Sequence, residues 1–205
     1  MLELILIIAA YIMLRHHFTA IETVAVPTLA PRTPSPQLVQ LTDYADRLYA
    51  EKKWLAAEKA YLKVLKLDHK NITAYTHLGV IYSTQKNMAD AIECFEIAAR
   101  LRPSGSTYQN LGLAYYDNHN YIKSIAALEK ANMFEPAVQR YVGLSKAQRK
   151  LSNLPGAIAA LEKATALEPS KRILQLLSEA YQDDGRTDEA QAVLMRLHDN
   201  ADTAT

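Results

Sequence analysis

Cysteine is nearly absent from this sequence, since Cys94 is the only one among 205 residues. A single thiol excludes an internal disulfide and any metal site built from several cysteines. We expect Cys94, which falls in an apolar helical pattern, to be a small buried hydrophobic residue. An excess of one charge is also lacking, because 23 Lys and Arg face 22 Asp and Glu, for a net charge of +1. This balance argues against general nucleic-acid binding, so no nucleic-acid partner is expected.

Glycine and the motifs of enzymatic chemistry are scarce as well. Only six glycines occur, and few segments alternate polar and apolar residues as half-buried strands do. Neither a glycine-rich phosphate loop nor a His-Glu-x-x-His pair is present. His77, His119 and His198 are scattered, and Asp183 and Asp184 precede a glycine, where a turn is expected. We therefore expect a mostly helical protein that is not an enzyme, with no cofactor, metal or catalytic residue.

The first 18 residues contain the one long apolar run. Residues 4–14, LILIIAAYIML, carry no charged side chain, and Arg15 follows them. A helix of 14 residues spans only about 21 Å of a hydrocarbon core of about 30 Å. Extension to Phe18, with Arg15 reaching toward the headgroups, makes it longer. Because no basic segment precedes the run, as one would in a signal peptide, we predict a single short transmembrane anchor over residues 1–18.

A proline-rich linker follows the predicted anchor. Residues 19–37 contain four prolines, which interrupt helices and sheet ladders and favour an extended spacer. Arg15 lies after the apolar run and only the amino terminus lies before it, so the positive-inside rule places the rest of the chain in the cytoplasm. A buried helix and an exported protein with a cleaved or retained N-terminus are the alternatives for the apolar start.

The remaining sequence, residues 38–205, repeats itself. LGVIYST at 78–84 and LGLAYYD at 111–117 begin 33 residues apart, and both read Leu-Gly, two apolar residues, then Tyr. Alignment at this period gives five copies, at residues 38–71, 72–104, 105–137, 138–170 and 171–204. Two positions of every copy are always small. Position 8 holds Ala45, Gly79, Gly112, Ser145 and Ser178, and position 20 holds Ala57, Ala91, Ser124, Ala157 and Ala190.

Each copy predicts two helices. Positions 4, 7, 8 and 11 share one face of a first helix, and positions 20, 24 and 27 share one face of a second. Asparagine, Lys or Arg stands between them, where asparagine is expected to adopt the left-handed backbone of a tight turn; these residues are Lys53, Asn87, Asn120, Asn153 and Arg186. Because positions 8 and 20 are both small, we predict that the two helices of each copy cross closely there.

This spacing resembles the tetratricopeptide repeat, with an aromatic residue or Leu at position 4, Leu-Gly at 7 and 8, Tyr at 11, Ala at 20 and Pro at 32. The third copy, which includes YQNLGLAYYDNHNYIKSIAALEKANMFEP, matches nearly throughout. The resemblance implies an all-α protein, a right-handed α-solenoid of antiparallel helix pairs. It also implies a concave groove that binds peptides or helices of other proteins and has no chemistry of its own.

The resemblance further implies which residues line the groove, namely positions 2, 5, 9, 12 and 13 of each copy. In the last three copies, the expected partner-binding surface comprises Ser106, Gln109, Leu113, Tyr116, Gln139, Val142, Lys146, Arg149, Lys150, Arg172, Gln175 and Glu179. The fourth copy supplies three cations, which are suited to an acidic segment of a partner and also fit an ordinary solvated helix face.

The expected function is that of a membrane-anchored scaffold or adaptor that binds other proteins during assembly or regulation of a membrane complex. The layout resembles bacterial inner-membrane tetratricopeptide proteins, with the repeats in the cytoplasm. Two alternatives stay open, a permanent structural subunit of a membrane complex and an exported periplasmic binding protein. Self-association through Val193, Leu194 and Leu197 is also expected, because only a short polar tail follows to cover them.

Overall fold

A computed structural model describes residues 35–202, with side chains through residue 196. Every element of regular structure in this range is a helix. The helices are α1 Pro36–Ala50, α2 Trp54–Leu67, α3 Ile72–Thr84, α4 Met88–Leu101, α5 Gly105–Asp117, α6 Tyr121–Phe134, α7 Val138–Lys150, α8 Leu154–Leu167, α9 Lys171–Asp183 and α10 Thr187–Asp202.

The predicted helical repeat is confirmed. Four hydrophobic clusters each join one copy to the next, so the core runs continuously along the array. Helix α1 begins at Pro36, two residues before the predicted start of the repeats. Proline is tolerated in the first turn of a helix because the N–H that it lacks would have no intrahelical partner there.

The predicted anchor, residues 1–18, and nearly all of the predicted linker lie outside the described residues. Within 35–202, no helix combines the length and the apolar composition needed to cross a membrane.

The close helix crossings at small residues are confirmed. All ten residues at positions 8 and 20 are buried. In the third copy, Ser124 Oγ of α6 donates a hydrogen bond to the carbonyl oxygen of Gly112 in α5, at 2.8 Å. A Cβ atom on Gly112 would lie 2.7 Å from Leu128 Cγ, and one on Gly79 would lie 2.6 Å from the Phe95 ring. No larger residue fits at either crossing unless the neighbouring side chain, Leu128 or Phe95, moves aside.

The turns inside each copy differ from the prediction by one residue. The left-handed backbone belongs to the residue before the asparagine position, that is to Lys52, Lys86, His119, Ser152 and Gly185. Two of the three asparagines instead cap the second helices: Asn120 Oδ1 accepts from the N–H of Lys123, and Asn153 Oδ1 from the N–H of Gly156, whereas the Asn87 side chain makes no capping bond. Capping satisfies backbone N–H groups that have no partner in the first turn of a helix. Asparagine in these two copies therefore serves as a helix cap, and not as the left-handed turn residue that the sequence predicts.

Both ends of the array carry polar residues where inner copies carry mostly apolar ones. Positions 3, 7 and 10 of the first helix pack against the preceding copy and are buried in copies two to five. The first copy has Gln40, Tyr44 and Arg47 there, all exposed. Position 21 of the second helix is isoleucine in the inner copies and packs in clusters with residues of the following copy, and position 17 is apolar or aromatic there. The last copy has exposed Thr187 and Gln191 at these two positions. Polar outer faces are typical of terminal repeats, which must be soluble.

The apolar face predicted for self-association is not an open surface at Val193. That side chain is 6% exposed and packs in a cluster with Leu174 and Leu177 of α9. Leu194 is half-buried, and the side chain of Leu197 lies outside the described residues. The reason is geometric, because position 23 points toward the first helix of its own copy. Leu194 stands at position 24, where Leu128 of the third copy lies against Gly143 of the following one.

Candidate functional site

The first helices of the last three copies line a cleft of about 500 Å³. We call it the α5–α7–α9 cleft. Its floor and walls combine apolar side chains with two cations and two carboxylates. The lining residues are Leu113, Tyr116, Asp117, Leu128, Val138, Gln139, Val142, Gly143, Lys146, Glu168, Ser170, Arg172, Ile173 and Leu176.

The predicted groove residues divide into two groups. Those that line the α5–α7–α9 cleft are Leu113, Tyr116, Gln139, Val142, Lys146 and Arg172. Leu113 is 44% exposed even though it is apolar. Of the others, Ser106, Lys150, Gln175 and Glu179 are exposed but do not line the cleft. The remaining two, Gln109 and Arg149, are engaged in contacts within the protein.

Gln109 holds a buried cation. Arg140 is only 8% exposed, and its Nε donates to Gln109 Oε1 at 2.8 Å. Its guanidinium also donates to the backbone carbonyl of Glu135 and lies against Gly105, where a Cβ would come within 2.9 Å of it. These bonds satisfy a group that would be costly to bury unpaired. Sequence reasoning missed Arg140, because position 3 faces the neighbouring copy and nothing local signals a charge there.

Arg149 forms an ion pair with Asp183, which joins α7 to α9. The predicted basic surface of the fourth copy is therefore partly neutralised. No ion pair of the described residues engages Lys146 or Lys150 of the same helix. Asp183 serves to tie two copies together, in addition to ending α9.

Gly143 gives the α5–α7–α9 cleft its depth. Position 6 carries a side chain in every other copy, namely Asp43, His77, Asn110 and Leu176. In the fourth copy Gly143 packs directly on Leu128, which is 1% exposed and whose Cδ1 lies 3.3 Å from where a Cβ of Gly143 would stand. Sequence reasoning missed Gly143 and Leu128 as lining residues. A comparison of position 6 among the five copies would have singled out the glycine.

A second polar cluster joins α1, α2 and α3. Tyr61 is buried, yet its hydroxyl donates to Asp46 Oδ1 at 2.6 Å and lies 2.5 Å from His77 Nδ1. The His77 ring stacks on Tyr49, with centroids 4.2 Å apart. Burial lowers the pKa of His77, although the Asp46 carboxylate acts in the opposite direction. Burial, helped by the bond to Asp46, raises the pKa of Tyr61.

Sequence reasoning treated His77 as an isolated histidine, because its partners belong to two other helices. Between residues 35 and 196, no group of three or more His, Cys, Asp or Glu side chains is placed to hold a metal ion. The cluster is a structural junction between the first two copies.

The family model of the tetratricopeptide repeat matches residues 72–104 and 105–137. These are the second and third copies, with the boundaries that the alignment of copies predicts. The protein thus contains tetratricopeptide repeats, and its described helices form the helical repeat scaffold of that class. Among curated protein sequences, none matches the chain.

Solved structures share this fold. A crystal structure of MamA is 26% identical, with a TM-score of 0.71, over 78% of this chain and 95% of that one. MamA 41-end from Desulfovibrio magneticus RS-1 is 15% identical, with a TM-score of 0.73, over 82% of this chain and 97% of that one. YrrB, described as a TPR protein with an unusual peptide-binding site, is 19% identical, with a TM-score of 0.67, over 78% of this chain and 84% of that one. At the last two identities the likeness shows the fold alone.

Proposed function

We propose that this protein is a scaffold that binds segments of partner proteins along α5, α7 and α9. The main support is the α5–α7–α9 cleft of about 500 Å³. Its lining includes the apolar side chains of Leu113, Val142 and Leu176 together with the cations Lys146 and Arg172. A concave, mostly apolar site with a few polar groups is typical of ligand-binding surfaces. An ordinary solvated helix face would not gather exposed apolar side chains in a concavity. The role is binding rather than catalysis.

Site-specific photo-crosslinking in cells tests this proposal. A benzophenone amino acid at position 113 or 146, both on the cleft, should capture discrete partner proteins that mass spectrometry identifies. The matched control places the same amino acid at position 126 on α6, which is exposed and does not line the cleft. Identical products from all three positions would contradict a binding role for this face.

We also propose that residues 1–18 anchor the protein in a membrane, with the repeats in the cytoplasm, and that its partners belong to a membrane complex whose assembly or regulation it assists. The support comes from the uncharged run 4–14 and from Arg15 after it. Full-length protein should resist extraction from membranes at alkaline pH, whereas a chain without residues 1–18 should be released.

The orientation and the kind of association have separate tests. Protease added to spheroplasts should leave the repeats intact, and their digestion would indicate export. Substoichiometric recovery with the partner complex in detergent is expected for an assembly factor, whereas stoichiometric recovery would indicate a permanent subunit.

A further inference from the structure

We infer that the α5–α7–α9 cleft is an anchor site for one large apolar side chain of a partner segment that carries a carboxylate next to it. This inference rests on the proposed scaffold function and specifies the segment that the scaffold recognises.

The apolar part of the site follows from the missing side chain at Gly143. Leu128 of α6 packs beneath this glycine and is only 1% exposed, so it forms the closed floor of the cleft. Leu113, Val142 and Leu176 surround this floor from three first helices. A volume of about 500 Å³ lies within the range of about 300–1,000 Å³ that is usual for ligand pockets. A Leu, Met or Phe side chain can therefore enter where the other copies place a side chain of their own.

The charged part of the site follows from α7, which carries four basic residues and no acidic one. Arg140 and Arg149 are engaged, the first by Gln109 and the second by an ion pair. Lys146 lies three residues after Gly143, hence on the same helix face. Arg172 of α9 also lines the cleft, and no ion pair of the described residues engages either cation.

Two carboxylates, Asp117 and Glu168, lie on the flanking elements of the cleft. Asp117 ends α5 and Glu168 follows α8, whereas the two cations lie on α7 and in the first turn of α9. A carboxylate beside the anchor side chain would meet Lys146 or Arg172 in a charge-assisted contact. A basic residue beside the anchor side chain would be repelled by Lys146 or Arg172. The pattern thus favours an acidic residue next to the anchor over a basic one.

Titration of ¹⁵N-labelled full-length protein in detergent micelles tests both features. The probe is the peptide Ser-Gly-Phe-Glu-Gly-Ser, and the comparison peptides replace Phe by Ala or Glu by Lys. We expect saturable shifts of the Leu113, Gly143 and Lys146 amide signals with the first peptide. Each comparison peptide should bind at least about tenfold more weakly.

Variants assign the contacts. Gly143→Leu gives α7 the leucine that α9 carries at the same repeat position, Leu176. This variant should abolish the peptide-induced shifts of the amide signals. Lys146→Gln together with Arg172→Gln, both exposed in the wild type, should reduce the affinity for the Glu peptide about tenfold and remove its advantage over the Lys peptide. Lys150→Gln, one turn further along α7 and outside the cleft, should leave binding unchanged.

Three results would overturn the inference. They are unchanged binding in a folded Gly143→Leu variant, equal binding of the Glu and Lys peptides, and no saturable shift at about 10 mM peptide. Partner capture from position 113 or 146 that persists in Gly143→Leu would refute the anchor site and leave the scaffold function standing. Loss of specific capture in the wild type would instead refute the scaffold function.

Discussion

Gly112 and Gly143 lie on either side of Leu128 and have different roles. Gly112 in α5 lets α6 approach, since a Cβ there would lie 2.7 Å from Leu128 Cγ and 3.4 Å from its backbone nitrogen. Gly143 in α7 faces only the end of the same side chain, at 3.3 Å from Cδ1. The first glycine is required by packing of the core. The second leaves an opening that the core does not need.

Alanine substitution should separate these two roles. Gly112→Ala should lower the free energy of unfolding by about 1–3 kcal/mol, because overpacking at a helix crossing outweighs the better helix propensity of alanine. Gly143→Ala should change it little or raise it by up to about 1 kcal/mol, because Leu128 Cδ1 needs to give way by only a few tenths of an ångström. Urea unfolding of both variants measures the difference, and equal effects would argue against the proposed crossing.

His77 should make stability depend on pH. Burial lowers its pKa below the ordinary 6.5, so the folded state favours the neutral ring, packed by Tyr49, Tyr61 and Asp46. Between the two pKa values the unfolded chain binds more protons. This contribution to stability is therefore fully present above pH 6.5 and is lost as the pH falls from 6.5 toward the lower pKa of the folded state.

The check on His77 is urea unfolding at several values from about pH 8 down to about pH 5. His77→Gln removes the titrating group, so its stability should fall less with acidification than that of the wild type. Parallel curves for the two proteins would show that His77 is not responsible.

Whole helices differ in how their first turns are capped, even at equivalent positions. Ser104 and Ser170 occupy position 33 of their copies and precede α5 and α9. Ser104 accepts from the N–H of Thr107 at 3.2 Å, and Thr107 Oγ1 accepts from the N–H of Ser104 at 3.1 Å. This reciprocal pair is a capping box. The Ser170 side chain makes no capping bond.

Ser104→Ala should therefore lower the free energy of unfolding by about 0.5–2 kcal/mol. Ser170→Ala, the same change at the same repeat position, should have almost no effect, because no capping bond is lost. Thermal or urea unfolding of the two variants provides a matched comparison. A larger loss for Ser170→Ala would mean that the caps do not contribute as described.

Successive helix pairs are also linked by tyrosines at position 11. The Tyr181 hydroxyl of α9 donates to Glu162 of α8 at 2.6 Å, and Tyr115 of α5 makes the same bond to Glu96 of α4. Burial, together with these carboxylates, raises the pKa of both tyrosines to about 12. The two hydroxyls thus stay protonated, and able to donate, throughout the physiological pH range, and each bond joins one copy to the next.

On the scale of the whole molecule, polar outer faces distinguish the first and last copies from the inner ones. Inner copies present Met88, Tyr121 or Leu154 at position 17 and isoleucine at position 21, and Ile92 and Ile158 pack with apolar residues of the following copy. Thr187 and Gln191 interrupt this pattern on α10. Because both side chains are polar and exposed, this face of α10 is suited to contact with water rather than with a further copy.

Restoring the inner pattern at this end should promote self-association. The double variant Thr187→Leu with Gln191→Ile should sediment as larger species with rising protein concentration, because it recreates the edge that normally receives another copy. Asp188→Leu with Ala192→Ile is the matched control, since it adds similar apolar bulk on a face that inner copies leave exposed. Equal association of both variants would indicate nonspecific hydrophobic association instead.

Sequence alone was enough to predict the helix pairs and their close crossings. Positions 8 and 20 lie 12 residues apart, and the apolar positions recur with helical spacing, so these features depend on short stretches of chain. The resemblance to a repeat family added the expected groove positions, and half of the residues named for them line the cleft. It could not predict which of these side chains would be engaged in contacts within the protein. Gln109 and Arg149 became contacts of Arg140 and Asp183 instead of open surface.

Only tertiary structure decided the chemistry of the surfaces. Arg149 and Asp183 are 34 residues apart, Arg140 and Gln109 are 31 apart, and each pair meets because one copy stacks on the next. The gap at Gly143 becomes a cleft only because Leu128 lies beneath it and α5 and α9 stand on either side. Periodicity specifies which face of a helix is buried, whereas the distance between side chains of different copies depends on how those copies pack.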